Sequence, residues 1–170
     1  DKGVVDHKIL YGSWAGAFGN FQFMPSTIMN YAIDYNSDNE INLKSYEDSF
    51  ASAANYINKL GWRPEEPCYL KIDLFDNVPI SLLNYSAKKI TNKKKLKDIK
   101  KYIKNSDSIK FNDNLKVGII TPDKEIVENS NPLNPAFLVF ENYELILKWN
   151  RSLRFGLAVC TLKDKFRDAL

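Results

Sequence analysis

The sequence predicts an α+β fold that is mainly helical and carries a small inserted β module. Three observations predict it. Apolar residues recur at helical spacing before residue 61, short apolar or alternating runs begin at Tyr69, and helical spacing returns after residue 135. The 170 residues suffice for one globular domain with a core, and this order of elements suggests strands inserted into an α domain.

Two helices are predicted near the start of the chain. Pro25 begins the first, because proline suits the first position of a helix, and that helix ends after Asp34. The second opens near Ser45 and ends at Gly61. The residues expected to face the core are Ile28, Met29, Ala32 and Ile33 in the first helix, and Phe50, Ala53, Ala54, Ile57 and Leu60 in the second.

The pattern of apolar residues changes after the second helix and predicts three regions. These are 1–68 as a helical core segment, 69–135 as the β module, and 136–170 as C-terminal helices that return to the core. The lysine-rich stretch 88–105 is expected to form a short basic helix with a solvated face. The strand candidates are YLKIDLF, NVPISLL, LKVGII and AFLVF; Leu96, Ile99 and Ile103 are expected inward in the basic helix, and a break separates Trp149 from Leu157 in the C-terminal part.

Composition excludes little beyond a membrane span. No apolar run approaches the roughly 18 residues that a span requires, and the polar start is neither an initiator Met nor a signal peptide, which suggests a cut or processed end. A net charge of +3 does not by itself require nucleic acid. Cys68 and Cys160 lack metal-ligand spacing, and we expect two free, buried thiols. His7, the only histidine, is expected on the surface.

The loop between the two helices carries alternating oxygen-bearing side chains. In DYNSDNEINLKSYED they fall at Asp34, Asn36 and Asp38, with Glu40 next, and such alternation can aim oxygens at a hard cation such as calcium. In a standard EF-hand loop the sixth position is a glycine, and here it is Asn39, which can still adopt the left-handed turn. The carboxylate that closes such a loop would come from Asp48. An Asp- and Asn-rich turn bonded to its own backbone is the alternative.

The stretch GSWAGAFGNFQFMPS, from Gly12 to Ser26, combines glycines with aromatic residues in a way that neither a surface loop nor a core helix explains. Glycines permit close approach of the backbone to a sugar or to a neighbouring helix. Tight helix packing with buried aromatics is the alternative.

This stretch, the acidic loop, SAANYINKLGWRPEEP and FLVFENYELILKWNRSLRFGLAV together resemble the C-terminal part of the lytic murein transglycosylase B family. The resemblance covers about Gly12 to Gly61 and resumes near Leu115. It implies a lysozyme-like core with an EF-hand-like loop, and cleavage of peptidoglycan between N-acetylmuramic acid and N-acetylglucosamine to leave a 1,6-anhydro end. One Glu of that family acts as acid and then as base, and the muramyl 6-hydroxyl is the nucleophile.

The resemblance also implies roles for individual residues. Ser13 matches a serine beside the catalytic acid, and Gln22 matches a glutamine that contacts saccharide. Trp149 and Phe155 stand where tyrosines are usual, which keeps the stacking faces but loses hydroxyls. Tyr56 matches an aromatic of the groove, and Asn150 matches the asparagine of the family's Tyr-Asn motif. The family's calcium ligands match at Asp34, Asn36, Asp38, Glu40 through its carbonyl, and Asp48.

The family's acid lies upstream of the Gly-Ser-Trp-Ala-Gly block, and DKGVVDHKILY contains no Glu. We therefore expect a C-terminal part of a longer enzyme that binds glycan weakly and cleaves nothing by itself. The resemblance implies peptidoglycan glycan strands as substrate, a missing N-terminal segment or envelope proteins as further partners, and the periplasm or outer envelope of a Gram-negative bacterium as location.

Three rival functions remain open at this point. A non-catalytic glycan-binding protein derived from the enzyme would lack the upstream acid. A calcium sensor would change shape strongly on binding calcium. Nucleic-acid binding through Lys93 to Lys104 would require a steep salt dependence, and the acidic residues elsewhere in the chain argue against it.

Overall fold

The structure is a computed structural model that describes residues 12–124 and 126–169. The chain divides into two compact units, Asp1–Trp62 and Arg63–Leu170. His7 lies outside the described residues, so its expected surface position stays a prediction. Within the described part of the chain, no helix is both long and apolar enough to cross a membrane.

The first unit contains two helices, α1 (Pro25–Tyr31) and α2 (Tyr46–Lys59). Helix α1 begins at Pro25 as predicted but ends at Tyr31, because Ala32 already adopts an extended backbone with ψ of 141°. Helix α2 begins after Ser45, whose side chain accepts a hydrogen bond from Asp48 N and so caps the helix.

The buried face of α2 differs from the predicted one. Phe50 is 61% exposed, whereas the side chains of Asp48, Ser49 and Ser52 are buried. Ser52 Oγ accepts a hydrogen bond from Ile33 N at 3.0 Å. The helix therefore packs through hydrogen bonds to the preceding chain, since each buried polar group there requires a partner.

The second unit is built on a five-stranded mixed sheet with the order β1-β5-β4-β2, to which β3 adds by pairing with β4. The β2 and β4 pair is parallel, and the other pairs are antiparallel. The strands are β1 (Tyr69–Ile72), β2 (Leu83–Asn84), β3 (Lys94–Lys95), β4 (Lys116–Ile120) and β5 (Ala136–Val139).

Three of the four predicted strands are confirmed, and NVPISLL is not a full strand. Its residues Ile80–Leu82 form a 3-10 turn, and of the seven only Leu83 pairs with β4, together with the following Asn84. Pro79 precedes this turn with φ of −63° and lacks an amide hydrogen to donate to a ladder.

The helices of the second unit are α3 (Leu96–Ile99), α4 (Glu141–Trp149) and α5 (Leu153–Ala169). The basic helix predicted over 88–105 is wrong in extent: strand β3 lies within it, only α3 is α-helical, and Lys100–Tyr102 forms a 3-10 turn. Leu96, Ile99 and Ile103 are buried as expected. The predicted break after Trp149 is present as well. The predicted division of the chain at residues 68 and 135 stays a prediction. In the structure strand β5 belongs to the sheet, and both C-terminal helices lie with that sheet in the second unit.

The expectation of free thiols is wrong, because Cys68 and Cys160 form a disulfide. Their Cα atoms lie 6.0 Å apart, a separation that a disulfide spans, because the residue before β1 and the middle of α5 meet. The residues that follow the two cysteines are in contact as well, because the hydroxyls of Tyr69 and Thr161 lie 2.7 Å apart and form a hydrogen bond. The bridge fixes α5 to the edge of the sheet.

Candidate functional site

The first glycines of the GSWAG block shape a tight turn. Ser13 N donates to Ala17 O at 2.9 Å, and Gly16 N donates to Ser13 O at 2.8 Å. Gly16 has φ of +79°, and a Cβ at Gly12 would lie 2.8 Å from Ala17 O. Left-handed backbone and backbone contact both favour glycine here.

A second turn follows directly. Phe18 and Phe23 exchange backbone hydrogen bonds of 2.9 and 2.8 Å. Gly19 has φ of +78°, and a Cβ there would lie 2.6 Å from Leu43 Cβ. The close backbone approach that the glycines predicted is therefore real, and at Gly19 its partner is the chain segment before α2.

Asn20 joins this second turn to the start of α2. Its backbone N donates to Leu43 O at 2.9 Å. Its side-chain Nδ2 lies 3.2 Å from Lys44 O, 3.4 Å from Ser45 O and 3.1 Å from Ser49 Oγ. The turn is thus held on the N-terminal end of the helix by one asparagine side chain.

Ser13 and Gln22 are both exposed, each on one of the two turns. Ser13 Oγ accepts a hydrogen bond from Ala17 N at 3.1 Å, which leaves its hydroxyl proton available to a ligand. Gln22 has φ of 52°, and its Nε2 donates to Gly19 O at 3.0 Å. Each side chain is therefore oriented by the turn that carries it.

Aromatic rings form a continuous series beside these turns. Phe21 contacts Phe50 edge to face at 5.1 Å between ring centroids, and Phe23 contacts Tyr56 at 6.2 Å. Tyr56 is 9% exposed, and burial raises its pKa, with a smaller contribution from Tyr31. Trp14 is fully exposed. Tyr56 supports the turn from inside, while Trp14 offers a free face to a ligand.

The predicted metal loop is a series of turns bonded to its own backbone. Asp34 accepts hydrogen bonds from Ser37 N at 2.7 Å and Asn39 N at 2.9 Å. Asp38 accepts from Glu40 N at 2.9 Å and from Asn36 Nδ2 at 2.9 Å. The left-handed backbone predicted at Asn39 is confirmed, with φ of +70°.

The fifth predicted ligand, Asp48, lies fully buried on α2. Its two oxygens accept hydrogen bonds from Tyr35 N at 2.9 Å and Asn42 N at 2.7 Å. Within the described ranges, no group of three or more His, Cys, Asp or Glu side chains is placed to hold a metal ion. The donors are nevertheless of the class that calcium prefers, and each carboxylate oxygen keeps a second lone pair.

The remaining predicted site residues belong to the second unit. Asn150 is exposed and ends α4, with its backbone N donating to Ile146 O at 3.1 Å. Trp149 is half-buried, and Phe155 is 37% exposed on α5. These three residues therefore lie at or beside the break between α4 and α5.

Comparison with known proteins decides the family. A family model described as the transglycosylase SLT domain matches residues 1–164. The chain belongs to the transglycosylase SLT domain family. The family resemblance and the lysozyme-like α+β fold predicted from the sequence are confirmed.

Named relatives agree with this assignment. The chain is 49% identical over 53 residues to membrane-bound lytic murein transglycosylase B of Escherichia coli K12. The matched segment covers 31% of this chain and 15% of that protein. SltB3 from Pseudomonas aeruginosa, solved in complex with NAG-anhNAM-pentapeptide, matches with a TM-score of 0.80 and 30% identity, covering 98% of this chain and 42% of SltB3.

A third relative shows the fold alone. The lytic transglycosylase Slt35 of Escherichia coli, solved in complex with calcium, matches with a TM-score of 0.70 and 23% identity. The match covers 94% of this chain and 47% of Slt35. The SLT domain chain thus spans less than half the length of each of these relatives.

Two glutamates of the SLT domain chain, Glu66 and Glu144, have structural partners. Glu66 accepts hydrogen bonds from Arg63 and from Glu141 N, and Glu144 pairs with Lys93 at 2.6 Å. Glu125 lies outside the described residues. In the described part of the first unit, no hydrogen bond joins Ser13 to Glu40 or Glu47, and Ser13 Oγ accepts from Ala17 N instead.

Two features of this site were not predicted. Asn20 anchors the turn, and nothing in its local sequence distinguishes it from an ordinary turn asparagine. Ser49 and Ser52 line the buried face of α2, which the small residues of SFASAAN could have indicated. Hydrophobic periodicity favoured Phe50 instead, because it counts apolar residues and ignores hydrogen bonds.

Proposed function

We propose that this chain is the glycan-binding part of a lytic murein transglycosylase, which cleaves peptidoglycan between N-acetylmuramic acid and N-acetylglucosamine. One observation carries the proposal: two consecutive glycine turns carry the exposed side chains of Ser13, Trp14 and Gln22. Directed polar groups next to flat rings are typical of a saccharide site.

The proposed reaction needs one acid and no outside water. The acid protonates the glycosidic oxygen as the bond from that oxygen to muramyl C1 breaks. The muramyl 6-hydroxyl then bonds to C1 and returns its proton to the same carboxylate, so charge and atoms balance. Because the nucleophile belongs to the substrate, the second carboxylate of ordinary glycosidases is not required.

The residues of this chain position the substrate in that scheme. Ser13 donates its hydroxyl to the acid or to the sugar, and Gln22 contacts the saccharide with its amide. Tyr56 acts through Phe23, against which its ring packs. Trp149 and Phe155 supply stacking faces, and Asn150 supplies a side-chain amide.

Digestion of purified peptidoglycan tests the activity. We expect 1,6-anhydro muropeptides, scored by mass, from a version of the protein extended upstream along its reading frame, and none from the 170-residue chain. Anhydro products from the 170-residue chain would show that an acid inside it suffices. Products with reducing ends from the extended version would contradict transglycosylation and favour ordinary hydrolysis.

A non-catalytic glycan-binding protein is the second candidate. The observation that favours it is that Ser13 Oγ bonds to Ala17 N, and neither described glutamate of the first unit bonds to it. Under this alternative the extended version would bind peptidoglycan and release no product.

A structural calcium ion is the third element of the proposal. Asp34, Asn36, Asp38, Glu40 through its carbonyl, and Asp48 would hold it. The oxygen donors of the loop and the relative crystallised with calcium support this assignment. We expect calcium to raise the melting temperature of the wild type over that in chelator, with little change in far-UV circular dichroism. Equal melting temperatures with and without calcium would overturn it.

We further propose an envelope location. The Cys68–Cys160 disulfide supports an oxidising compartment, and the Escherichia coli relative is named as membrane-bound. Fractionation of the source cells, followed by non-reducing mass analysis, tests this location: we expect the protein in the envelope fraction with the bridge intact. Recovery with free thiols from the cytosol would contradict it.

A further inference from the structure

Positive charge in this chain is concentrated in one segment of the second unit. Residues 88–116 contain eleven lysines and three aspartates, a net charge of +8. The remaining 13 basic and 18 acidic residues give −5, which accounts for the total of +3. A modest overall charge therefore hides a strongly basic segment and a mildly acidic remainder.

Most lysines of this segment have no acidic partner. Lys93 pairs with Glu144 and Lys100 with Asp113, and the other nine are exposed and form no ion pair with any residue that the structure describes. Ammonium groups gathered on one segment without counter-charges raise the local positive potential, which attracts a partner with many negative charges.

Five of these unpaired lysines follow one another along a short stretch of the segment. Lys97 and Lys101 lie four residues apart, and such a pair lies on one side of a helical turn. The five are Lys94 and Lys95 of β3, then Lys97, Lys101 and Lys104. The apolar residues of the same stretch are buried on the opposite side: Leu96, Ile99 and Ile103.

An exposed aromatic ring lies directly beside this row of lysines. Phe75 N donates to Tyr102 O at 3.0 Å, and Lys104 N donates to Asp73 O at 2.8 Å, so the two chain segments run side by side. The Phe75 ring is 44% exposed, and Lys104 Nζ lies 5.9 Å from its centre. A cation and an aromatic face at this distance attract each other.

Phe75 belongs to a turn with a second exposed apolar side chain, Ile80, which is 66% exposed. Val78 N donates to Phe75 O at 3.2 Å and closes the turn. Leu74 and Val78 are buried in the same core cluster that contains the three apolar residues of the lysine stretch. The turn and the lysines are therefore fixed on one core, and the exposure of Phe75 and Ile80 is a regular feature of this surface.

The five lysines of the row together with Phe75 and Ile80 form what we call the basic apolar patch. Its charge stays positive when the neighbouring acids are counted. Lys116 of β4 lies directly opposite Lys95 in the antiparallel register and adds a sixth lysine. The exposed acids in and beside the patch are Asp73, Asp76 and Asp98. Six lysines against three aspartates leave a net charge of +3.

We propose that the basic apolar patch binds the surface of a membrane that contains anionic phospholipids. The lysines attract the headgroup phosphates, while Phe75 and Ile80 enter the boundary between headgroups and acyl chains. Basic residues next to exposed apolar side chains are the combination that peripheral membrane binding requires. The inference goes beyond the proposed glycan cleavage and shares only the envelope location with it.

Nucleic acid is the competing occupant, and two observations argue against it. The disulfide between Cys68 and Cys160 is typical of an oxidising compartment, which holds little nucleic acid. Exposed Ile80 has neither a flat face on which a base could stack nor a charge for a phosphate, whereas it suits an acyl chain.

Co-sedimentation of the 170-residue chain with vesicles tests the inference. One preparation is pure phosphatidylcholine, and the other contains about 30% phosphatidylglycerol in phosphatidylcholine. We expect binding to the anionic vesicles to be at least roughly tenfold tighter, and to weaken as salt is raised from about 0.05 to about 0.5 M.

Two double variants separate the patch from the overall charge. Lys97→Gln/Lys101→Gln removes two charges of the patch and should weaken binding to the anionic vesicles about twentyfold. The matched control, Lys59→Gln/Lys165→Gln, removes two exposed lysines of α2 and α5 and should bind like the wild type.

Substitution of Phe75 separates a membrane from a soluble anion. Phe75→Ser should weaken vesicle binding about fivefold and leave binding to soluble polyphosphate unchanged, because only the membrane receives the ring. Phe75→Leu keeps an apolar side chain and should bind vesicles like the wild type. Melting temperatures of the same samples show whether each variant is folded.

Equal binding to both vesicle preparations, or equal binding by the two lysine double variants, would overturn the inference. Wild-type vesicle binding by Phe75→Ser would overturn it in favour of a soluble polyanion. Tighter binding to a DNA duplex than to the anionic vesicles would overturn it in favour of nucleic acid. The vesicles contain no glycan, so these outcomes leave the proposed glycan site of the first unit untouched.

Discussion

Gly19 lies directly against the backbone of Leu43, so close that an added Cβ would come within 2.6 Å of the Leu43 carbonyl oxygen. Contact of this kind fixes the turn that carries Gln22 on the segment before α2. The candidate site thus depends on a residue with no side chain.

Gly19→Ala is expected to destabilise the first unit by about 3 kcal/mol, since it combines a clash with backbone and a left-handed φ. Gly61→Ala is the matched control: Gly61 has φ of +98° and nothing within 4 Å of an added Cβ, so it measures the strain alone, about 1 kcal/mol. Urea unfolding measures both. Equal losses would show that the contact with Leu43 contributes nothing.

Asp48→Asn is expected to destabilise the chain by about 2–4 kcal/mol even in chelator. The carboxylate of Asp48 is buried and accepts two backbone amides, and an asparagine NH2 would face one of them. The exposed Asp38→Asn, in the same loop, should cost less than about 1 kcal/mol. If thermal unfolding in chelator shows the same loss for both variants, Asp48 has no special structural role.

Reduction or replacement of the disulfide is expected to lower stability by about 2–5 kcal/mol. The bridge between Cys68 and Cys160 closes a loop with a sequence separation of 92, and a cross-link over so long a loop restricts the unfolded chain strongly. Urea unfolding of the Cys68→Ser/Cys160→Ser variant measures the effect. Alkylation of both thiols in unreduced native protein would contradict the bridge.

The buried phenol of Tyr143 is expected to make the second unit sensitive to alkali. Its hydroxyl donates to Leu153 O at 2.6 Å, and burial raises its pKa above the ordinary value of 10.0. The folded state holds this proton more tightly than the unfolded state does. The contribution of the protonated phenol to the free energy of unfolding is therefore complete below about pH 10 and is lost as the pH rises further.

Tyr143→Phe should therefore lose about 1–2 kcal/mol at neutral pH and show a shallower decline in melting temperature above pH 10. Tyr35→Phe, at a 67% exposed position, should follow the wild type throughout. Parallel alkaline declines in the wild type and Tyr143→Phe would mean that other groups cause the decline.

Local signals in the sequence predicted much of this fold. Pro25 and Ser45 marked the starts of both N-terminal helices, because a proline and a capping serine act within one turn of the chain. The oxygen alternation of the loop and the left-handed Asn39 followed from equally local rules. These features depend on neighbours in sequence, so one sequence suffices to predict them.

Contacts between distant residues escaped prediction. The Cys68–Cys160 pairing requires knowledge that α5 reaches the edge of the sheet. The burial of Ser52 requires knowledge that Ile33 N needs an acceptor. Gly19 was recognised as a site of close backbone approach, but its partner Leu43 lies 24 residues away and could not be named from the sequence.

Calorimetric titration of a stem-free NAG-NAM oligosaccharide into the wild type, Gln22→Ala and the control Asn58→Ala tests the central claim most directly. Gln22 lies on the exposed turn, whereas Asn58 is an exposed amide on α2. We predict that Gln22→Ala binds at least roughly tenfold more weakly, with an unchanged melting temperature, and that Asn58→Ala binds like the wild type. Equal affinity of all three proteins would contradict a saccharide site at this turn.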